Sequence, residues 1–191
     1  MVGEVRIYFE GDPALRPGFR EFFRELEKTL GVPVQLIAAK ARPIQAFQLA
    51  LEGHPNALNI LLIDSERSDD GKLFETICRP QGVSQPSKEA VFWMVQCMES
   101  WFLTDVAALK TYYAQGFNEK ALAGNPKVEE IPKADVLDRL KKASEDTTKG
   151  RYHKTKHAPH ILKLIQADNV RNAAPHCNRL FESVVRLSQP G

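Results

Sequence analysis

Long apolar segments are missing from this chain of 191 residues, since no run approaches the roughly 20 apolar residues that a membrane-spanning helix needs. Charges at Glu4, Arg6 and Glu10 interrupt the N-terminal segment, a pattern that argues against a signal peptide. Cysteine is scarce too: three widely spaced residues form neither a zinc-binding nor a redox pair, and their odd number does not suit a disulfide framework. These absences predict a cytoplasmic protein.

Glycine-rich phosphate loops are also missing. The chain contains neither G-x-x-x-x-G-K-[ST] nor G-x-G-x-x-G, which argues against an ATPase or a dinucleotide-dependent enzyme. A strong net charge is absent, but the total of +2 conceals an uneven distribution. Residues 1–124 hold 13 Lys and Arg against 16 Asp and Glu, whereas residues 125–191 hold 13 against 8. A polyanion is therefore expected to meet the later part of the chain.

Short apolar runs alternate with amphipathic stretches at the start of the chain. The spacing predicts strands over 5–9, 32–37, 59–63 and 91–95, with helices over 19–30 and 43–51 between the first three. The run 59–63 is apolar without alternation, as in a strand that helices cover on both faces. This order predicts an α/β protein with a mostly parallel sheet.

The rest of the chain is predicted to be mainly helical. We expect a loop over 67–89 with a helical turn or two at 72–78, a long helix from Glu99 to Tyr113, a charged helix over 133–144, and helices starting near Pro159 and Pro175. The large aromatic residues at 92–113 are expected in the core. We predict an α/β core over 1–124 and a basic, helical C-terminal portion over 125–191 that packs on it as one compact unit.

Acidic residues follow three of the predicted strands. Glu10 ends the first strand, Asp64 and Glu66 end the third on the same side of an extended backbone, and Glu99 follows the fourth. Ligands of parallel α/β sheets bind where the carboxyl ends of strands meet, and such carboxylates suit Mg²⁺ or Mn²⁺. The alternative is that these residues are helix N-caps or solvated loop residues, and that Glu99 merely begins a helix.

A basic segment at 149–160 accounts for much of the positive charge of the later part. Its cations would contact phosphate oxygens and Tyr152 could stack on a base, as in proteins that bind single-stranded nucleic acid. The candidate phosphate-binding residues are Lys149, Arg151, Tyr152, Lys154 and Lys156.

Two other interpretations of this segment remain. His153, His157 and His160 could bind a transition metal, although Pro159 is expected to break the helix that would align the first two. The segment could also be a solvated basic loop with incidental histidines.

Glu10-Gly11 after the first strand and Asp64-Ser65-Glu66 after the third resemble the Toprim pattern, in which a Glu and an Asp-x-Asp pair bind Mg²⁺ for phosphoryl transfer. Here Glu66 stands in place of the second Asp. Relatives often have a further acidic residue shortly after Glu-Gly, and in this chain Asp12 is the candidate for that role. The block 94–105, which contains Glu-Ser-Trp-Phe, is similar to the Toprim-like bacterial family "domain of unknown function 4276". Tyr152, Lys154 and His157 match positions that recur in that family.

The resemblance implies a Toprim-like nuclease in a bacterial defence or toxin-like system, with a partner ATPase. Glu10 would be the general base or acid, and Asp64 with Glu66 would hold Mg²⁺ or Mn²⁺. Glu99 would support this site or hold a second metal, and Lys154 and His157 would act on the phosphate. The alternatives are a non-catalytic subunit that binds nucleic acid or a partner, and a hydrolase of a small phosphorylated metabolite.

Overall fold

Four strands form one all-parallel sheet in the computed structural model, which describes residues 2–189. The strands are β1 (Val5–Phe9), β2 (Val34–Ala38), β3 (Leu58–Asp64) and β4 (Val91–Met94). Their order across the sheet is β2-β1-β3-β4. The register places Phe9 between Ala38 and Leu62, and it pairs Asp64 with Met94. The predicted α/β class with a parallel sheet is confirmed.

Helices cover both faces of this sheet. The α-helices are α1 (Arg16–Phe22), α2 (Arg24–Leu30), α3 (Pro43–Gly53), α4 (Val106–Tyr113), α5 (Lys133–Ser144), α6 (Lys154–Leu162), α7 (Ala167–Ala173) and α8 (Pro175–Ser188). A π-helical turn occupies Phe74–Cys78, and a 3₁₀ helix occupies Met98–Thr104 directly after β4. Within residues 2–189, no helix combines the length and the apolar character that crossing a membrane requires.

Successive side chains of each strand enter two different hydrophobic clusters. Ile7 and Leu62 lie on the face covered by α1, α2 and the helices after β4. Leu61 and Trp93 lie on the opposite face, against α3 and the segment at 73–83. Both faces of the sheet are therefore buried, which explains why the β3 run shows no polar alternation.

The C-terminal helices pack on the same face as α1 and α2. Phe22 of α1, Leu140 of α5, Leu162 of α6 and Phe181 of α8 belong to one hydrophobic cluster. Gly18 of α1 lies so close to α6 that a Cβ added at position 18 would be 2.8 Å from Cβ of Leu162. A larger residue at this position would push the helices apart. The division at residue 124 stays a prediction, since the helices on either side of it share this core.

Some helix boundaries differ from those predicted. The stripe at 19–30 is two helices that meet at Phe23, and the predicted helix from Glu99 to Tyr113 is the 3₁₀ helix Met98–Thr104 followed by α4. α4 begins after Asp105, whose carboxylate accepts the Ala108 N–H at 3.0 Å. The apolar spacing predicts which side chains are buried, but local capping decides where each helix starts. The predicted burial of the aromatic residues is confirmed for Phe92, Trp93, Trp101, Phe102 and Tyr113.

Candidate metal and phosphate site

The strand order creates a crevice between β1 and β3. The chain leaves β1 toward β2 on one side and leaves β3 toward β4 on the other, so the connections diverge at the carboxyl ends of two neighbouring strands. Ligands of open α/β sheets bind at such a point. Glu10 directly follows β1, and Asp64 is the last residue of β3. The predicted convergence of these two carboxylates therefore follows from the strand order.

Glu10, Asp64 and Glu66 form one acidic cluster. Each offers a carboxylate oxygen, and these oxygens lie within 4.8 Å of one another. Oε2 of Glu10 accepts the backbone N–H of Asp64 at 3.2 Å, and Oδ1 of Asp64 accepts the N–H of Met98 at 2.9 Å. These bonds orient two of the three carboxylates and leave Oε1 of Glu10 and Oδ2 of Asp64 for other partners.

Glu66 lies at a turn with left-handed backbone geometry, at φ 59°. Its exposed carboxylate forms an ion pair with the ammonium of Lys133, the first residue of α5. Gln96 also has a left-handed backbone, at φ 65°. Its side-chain amide links the start of α5 to the turn after β3, because its oxygen accepts the Lys133 N–H and its nitrogen donates to the Ser68 hydroxyl. Sequence reasoning missed both Lys133 and Gln96, and no local pattern marks either residue.

Glu99 is fully buried, and it lies outside the three-residue cluster. Its Oε1 accepts a hydrogen bond of 2.9 Å from the phenol of Tyr152, whereas its Oε2 has no hydrogen-bond partner in the described chain. Nζ of Lys154 lies 3.6 Å from Oε1 of Glu99 and 3.6 Å from Oδ2 of Asp64. Lys154 therefore joins Glu99 to the cluster. Glu99 does lie in the first turn of the 3₁₀ helix Met98–Thr104, as the alternative interpretation has it, but its carboxylate also faces this buried network.

Burial and charge together change the protonation of these groups. Desolvation raises the pKa of Asp64 to about 7. The positive charge of Lys154 lowers this pKa, whereas the neighbouring Glu99 and Glu10 raise it further. Desolvation also raises the pKa of Glu10. Burial alone would lower the pKa of Lys154, but Glu99 and Asp64 outweigh it, so that pKa is raised. The site thus holds one carboxyl group, that of Asp64, with a pKa near neutrality, beside an ammonium whose charged form is favoured.

The cluster fits a divalent cation. Two carboxylates 4 Å apart repel by about 4 kcal/mol at an effective dielectric constant of 20, so three in one place favour a cation among them. Octahedral Mg²⁺ has bonds of about 2.1 Å, which separate opposite oxygen ligands by about 4.2 Å. Oxygens within 4.8 Å of one another approach this spacing, and the exposed side chain of Glu66 can supply the remaining movement. Asp12 is not a member of the cluster, because it accepts the Ala14 N–H and pairs with Lys40.

A cavity of about 240 Å³ opens beside the cluster, and Lys154 and Lys40 contribute its positive charge. Glu10, Asp64 and Glu66 also line it. A larger cavity of about 530 Å³ lies between α2, α7 and α8, and none of these five residues lines it. We assign the chemistry to the smaller cavity, because the three clustered carboxylates and Lys154 line it.

His157 faces the interior instead of the cavity. Its Nδ1 lies 2.9 Å from the Tyr113 hydroxyl and accepts the His153 N–H at 3.2 Å. Burial, followed by the nearby positive groups, lowers the pKa of His157, which keeps the ring neutral. These contacts anchor the start of α6, so the catalytic role predicted for His157 has no support in the geometry.

The remaining basic residues are mostly engaged elsewhere. Lys149 lies over the Tyr112 ring at 5.1 Å, Arg151 pairs with Glu145 at 2.7 Å, and Lys156 is exposed. None of the three lines the cavity beside the cluster. The prediction that Tyr152 stacks on a base is wrong, since its ring is only 4% exposed and its hydroxyl binds Glu99.

The three histidines of this segment do not form a metal-binding group in the part of the chain that is described. His160 stacks on Tyr112 with ring centroids 5.9 Å apart, and Nδ1 of His153 lies 3.0 Å from the Thr155 hydroxyl. Pro159 does not break the helix as predicted, because α6 begins at Lys154 and continues through it. Each histidine is therefore held by a partner of its own.

Comparison with known proteins agrees with this architecture. Among solved structures, the C-terminal region of the Burkholderia pseudomallei OLD protein superposes with a TM-score of 0.56 at 15% identity, over 99% of this chain and 100% of that chain. At this identity the likeness shows the fold alone, and it agrees with the Toprim-like α/β fold predicted from the sequence. No curated protein matches the chain. The family model "Domain of unknown function (DUF4276)" matches residues 12–184, and the chain therefore belongs to this family.

Proposed function

We propose that the protein is a metal-dependent phosphoryl-transfer enzyme, a nuclease that acts on DNA or RNA. The observation that carries the proposal is the convergence of Glu10, Asp64 and Glu66 at the crevice between β1 and β3, with the Lys154 ammonium 3.6 Å from Asp64. Carboxylates in this arrangement suit Mg²⁺ or Mn²⁺, and a neighbouring cation suits a phosphate. The likeness to the OLD region supports the fold on which such a site is built.

Asp64 and Glu66 would hold the metal, with the third carboxylate, Glu10, beside it; the metal would supply a polarised phosphate oxygen and an activated water. Glu10 is oriented by the Asp64 N–H and has a raised pKa, both of which suit it to take a proton from an attacking water through Oε1. Lys154 would neutralise charge that develops on the phosphate. Glu99 and Tyr152 hold Lys154 from behind, which is a positioning role.

A metal-dependent cleavage assay tests this proposal on single-stranded and duplex DNA, RNA and tRNA. We expect cleavage with Mg²⁺ or Mn²⁺ that is lost on chelation and falls by at least about 100-fold in Glu10→Gln and Asp64→Ala, as for loss of a general base or metal ligand. Glu52→Gln, an exposed substitution on α3, is the matched control. Equal activity of wild type, Glu10→Gln and Asp64→Ala would contradict the assignment.

The rival function is a non-catalytic subunit that binds nucleic acid or a partner protein. It predicts no divalent metal at the strand ends. Calorimetric titration with Mn²⁺ separates the two functions, because a metal site formed by Asp64 loses its binding heat in Asp64→Ala, whereas the rival gives no heat in either protein. The same cleavage assay, run on small phosphate esters, tests the proposal against a hydrolase of phosphorylated metabolites.

A bacterial defence or toxin-like setting and a partner ATPase come only from the family resemblance, and both stay predictions. Co-purification of the tagged chain from its native cells, followed by an ATPase assay, tests for the partner.

A further inference from the structure

Lys133 brings a second ammonium group to the acidic cluster, in addition to that of Lys154. Its Nζ donates to both Oε1 and Oε2 of Glu66, whereas Nζ of Lys154 lies 3.6 Å from Oδ2 of Asp64. The two lysines therefore contact different carboxylates of one cluster. Glu66 lines the cavity beside Lys154 but Lys133 does not, so the Lys133 ammonium lies outside that cavity, next to Glu66.

The pair of Lys133 and Glu66 is open to solvent. The side chain of Lys133 is 30% exposed and that of Glu66 is 57% exposed. The backbone of Lys133 is held in place, because its N–H donates to the side-chain amide of Gln96 at 3.2 Å. The four-carbon stem of a lysine is flexible. The ammonium can therefore leave Glu66 by rotation of the side chain, without movement of α5.

Glu66 cannot keep this pair unchanged and also hold a divalent cation. Both of its oxygens accept from Lys133, and one of the two is the oxygen that it offers to the cluster. A cation bound there would share that oxygen with the ammonium, and the two positive groups would repel each other. The cation would also neutralise the charge that attracts the ammonium. Metal binding therefore weakens the attraction of Glu66 for Lys133.

An ammonium released beside the cluster needs another anion. The other carboxylates of the cluster surround the same cation, and the buried Glu99 is already paired with Lys154. The substrate of the proposed reaction carries a negative charge at every phosphate. Since Lys133 lies outside the cavity that Lys154 lines, the phosphate that it would meet is a neighbour of the reacting one along the strand.

We propose that Lys133 is a phosphate-binding residue for the substrate strand: metal binding at Glu66 releases its ammonium, which then contacts the phosphate next to the scissile one. This inference rests on the proposed function and deepens it. It predicts a substrate with at least two consecutive phosphates, which is a nucleic-acid strand and not a small phosphate ester. Lys133 thus opposes metal binding in the absence of a strand and favours strand binding in the presence of metal.

The test compares three variants of α5 with wild type. Lys133→Met removes the charge and keeps an unbranched stem, and Lys133→Arg keeps the charge. Lys142→Met is the matched control, because this lysine of the same helix also forms an ion pair, with Asp138 at 2.8 Å. Calorimetry measures Mn²⁺ binding without nucleic acid. Binding of labelled oligothymidylate is measured at several salt concentrations, with Ca²⁺ in place of Mg²⁺.

We expect Lys133→Met to bind Mn²⁺ at least about fivefold more tightly than wild type, since coupling between two sites is commonly about 5–150-fold. The same variant should bind oligothymidylate at least about threefold more weakly, and the slope of log affinity against log salt should fall by about 0.7, as for one lost phosphate contact on a single strand. Lys133→Arg keeps the wild-type slope, and Lys142→Met changes neither measurement.

Weaker or unchanged Mn²⁺ binding in Lys133→Met, including no binding by either protein, overturns the inference, because Lys133 would then not compete for Glu66. An unchanged salt slope, or no strand binding by wild type, overturns it as well. The cleavage assay reports separately on the proposed function. Metal-dependent cleavage that is lost in Asp64→Ala, with neither change in Lys133→Met, refutes only the role of Lys133. Both changes without cleavage refute only the reaction.

Discussion

Oε1 of Glu99 accepts a 2.9 Å hydrogen bond from the phenol of Tyr152, and neither residue is more than 4% exposed. The same oxygen lies 3.6 Å from Nζ of Lys154. One buried carboxylate thus ties the start of α6 to the 3₁₀ helix after β4, and it does so beside the acidic cluster. Several measurable properties of the protein depend on contacts of this kind.

Removing the Tyr152 hydroxyl leaves the buried Glu99 carboxylate with one partner fewer. We expect Tyr152→Phe to lower the free energy of unfolding by about 1–3 kcal/mol, since a buried charge loses a hydrogen bond. Metal-dependent cleavage should fall as well, because Lys154 is less firmly held. Urea denaturation measures the first effect, with Tyr112→Phe as control for a half-buried tyrosine. Identical midpoints for the two variants would show that the Tyr152–Glu99 bond contributes nothing.

Asp64 is expected to destabilise the metal-free protein at alkaline pH. Desolvation first raises its pKa from 3.8 to about 7, so the folded state holds a proton that the unfolded state releases, and stability falls as pH rises between these values. Asp64→Asn removes this loss and keeps an acceptor for the Met98 N–H. At about pH 8 without metal, we expect the free energy of unfolding of Asp64→Asn to exceed that of wild type by about 1–3 kcal/mol. Each kcal/mol should raise the melting temperature by about 2–4 °C. A variant less stable than wild type there would contradict this expectation.

Metal binding should depend on pH for the same reason. A carboxyl group must lose its proton to become a ligand, so Mn²⁺ affinity is expected to be about tenfold lower at pH 6 than at pH 8 when the ligand pKa is about 7. Wild-type melting temperature should rise with Mn²⁺ at about pH 8 and return on chelation. In Asp64→Asn, Mn²⁺ should have no effect at either pH.

His176 holds two acidic segments against α8. Its Nδ1 lies 2.7 Å from Oε2 of Glu129, and its Nε2 lies 2.8 Å from Oδ2 of Asp69. The hydrogen bond to Glu129 is the main cause of its raised pKa, with Asp69 adding to it and burial opposing it. The stabilisation is therefore complete below the unfolded-state pKa of about 6.5 and disappears as pH rises through the folded-state value.

We therefore expect His176→Gln to lower the free energy of unfolding by about 1–3 kcal/mol at about pH 6 and by clearly less at about pH 9. Chemical denaturation at both pH values gives the difference. His54→Gln, at an exposed position, controls for the loss of a histidine. A cost that is the same at both pH values would mean that the charged imidazole is not what stabilises the fold.

Gly116 is required by close packing of the backbone. Its φ is +86°, and a Cβ there would lie 2.3 Å from the carbonyl oxygen of Asp146. Gly150 has a similar φ of +72° with no atom within 4 Å of such a Cβ. We expect Gly150→Ala to lower the free energy of unfolding by about 1–2 kcal/mol, from backbone strain alone. Gly116→Ala should cost at least about 2 kcal/mol more, because backbone must move. Equal costs in thermal denaturation would refute the steric explanation.

Much of the fold can be predicted from the sequence. The apolar run before Asp64 and the β-branched and aromatic run before Glu10 predicted β3 and β1 closely, because a strand buried on both faces leaves little choice of residue. The order of strands and helices then predicted that these two carboxylates meet. Helix starts were less predictable, since α6 passes through Pro159 and α4 depends on a single cap at Asp105.

The partners of the acidic cluster were not predictable. Lys133 is 67 residues from Glu66, and Tyr152 is 53 residues from Glu99, so no local pattern connects either pair. Tyr152 in particular stands among cations, a setting typical of an exposed base-stacking residue, and yet its ring is buried. Local charge does not predict burial when a whole helix packs over a crevice.

The sequence by itself determined the parallel sheet and the carboxylates at its edge, because strand periodicity and buried apolar runs are local properties of the chain. Only the tertiary structure decided which cations meet those carboxylates, that Glu99 is buried with one oxygen unpartnered, and that His157 faces the interior. These depend on how α5 and α6 pack over the sheet edge, since contacts between distant segments arise from the packing of whole helices.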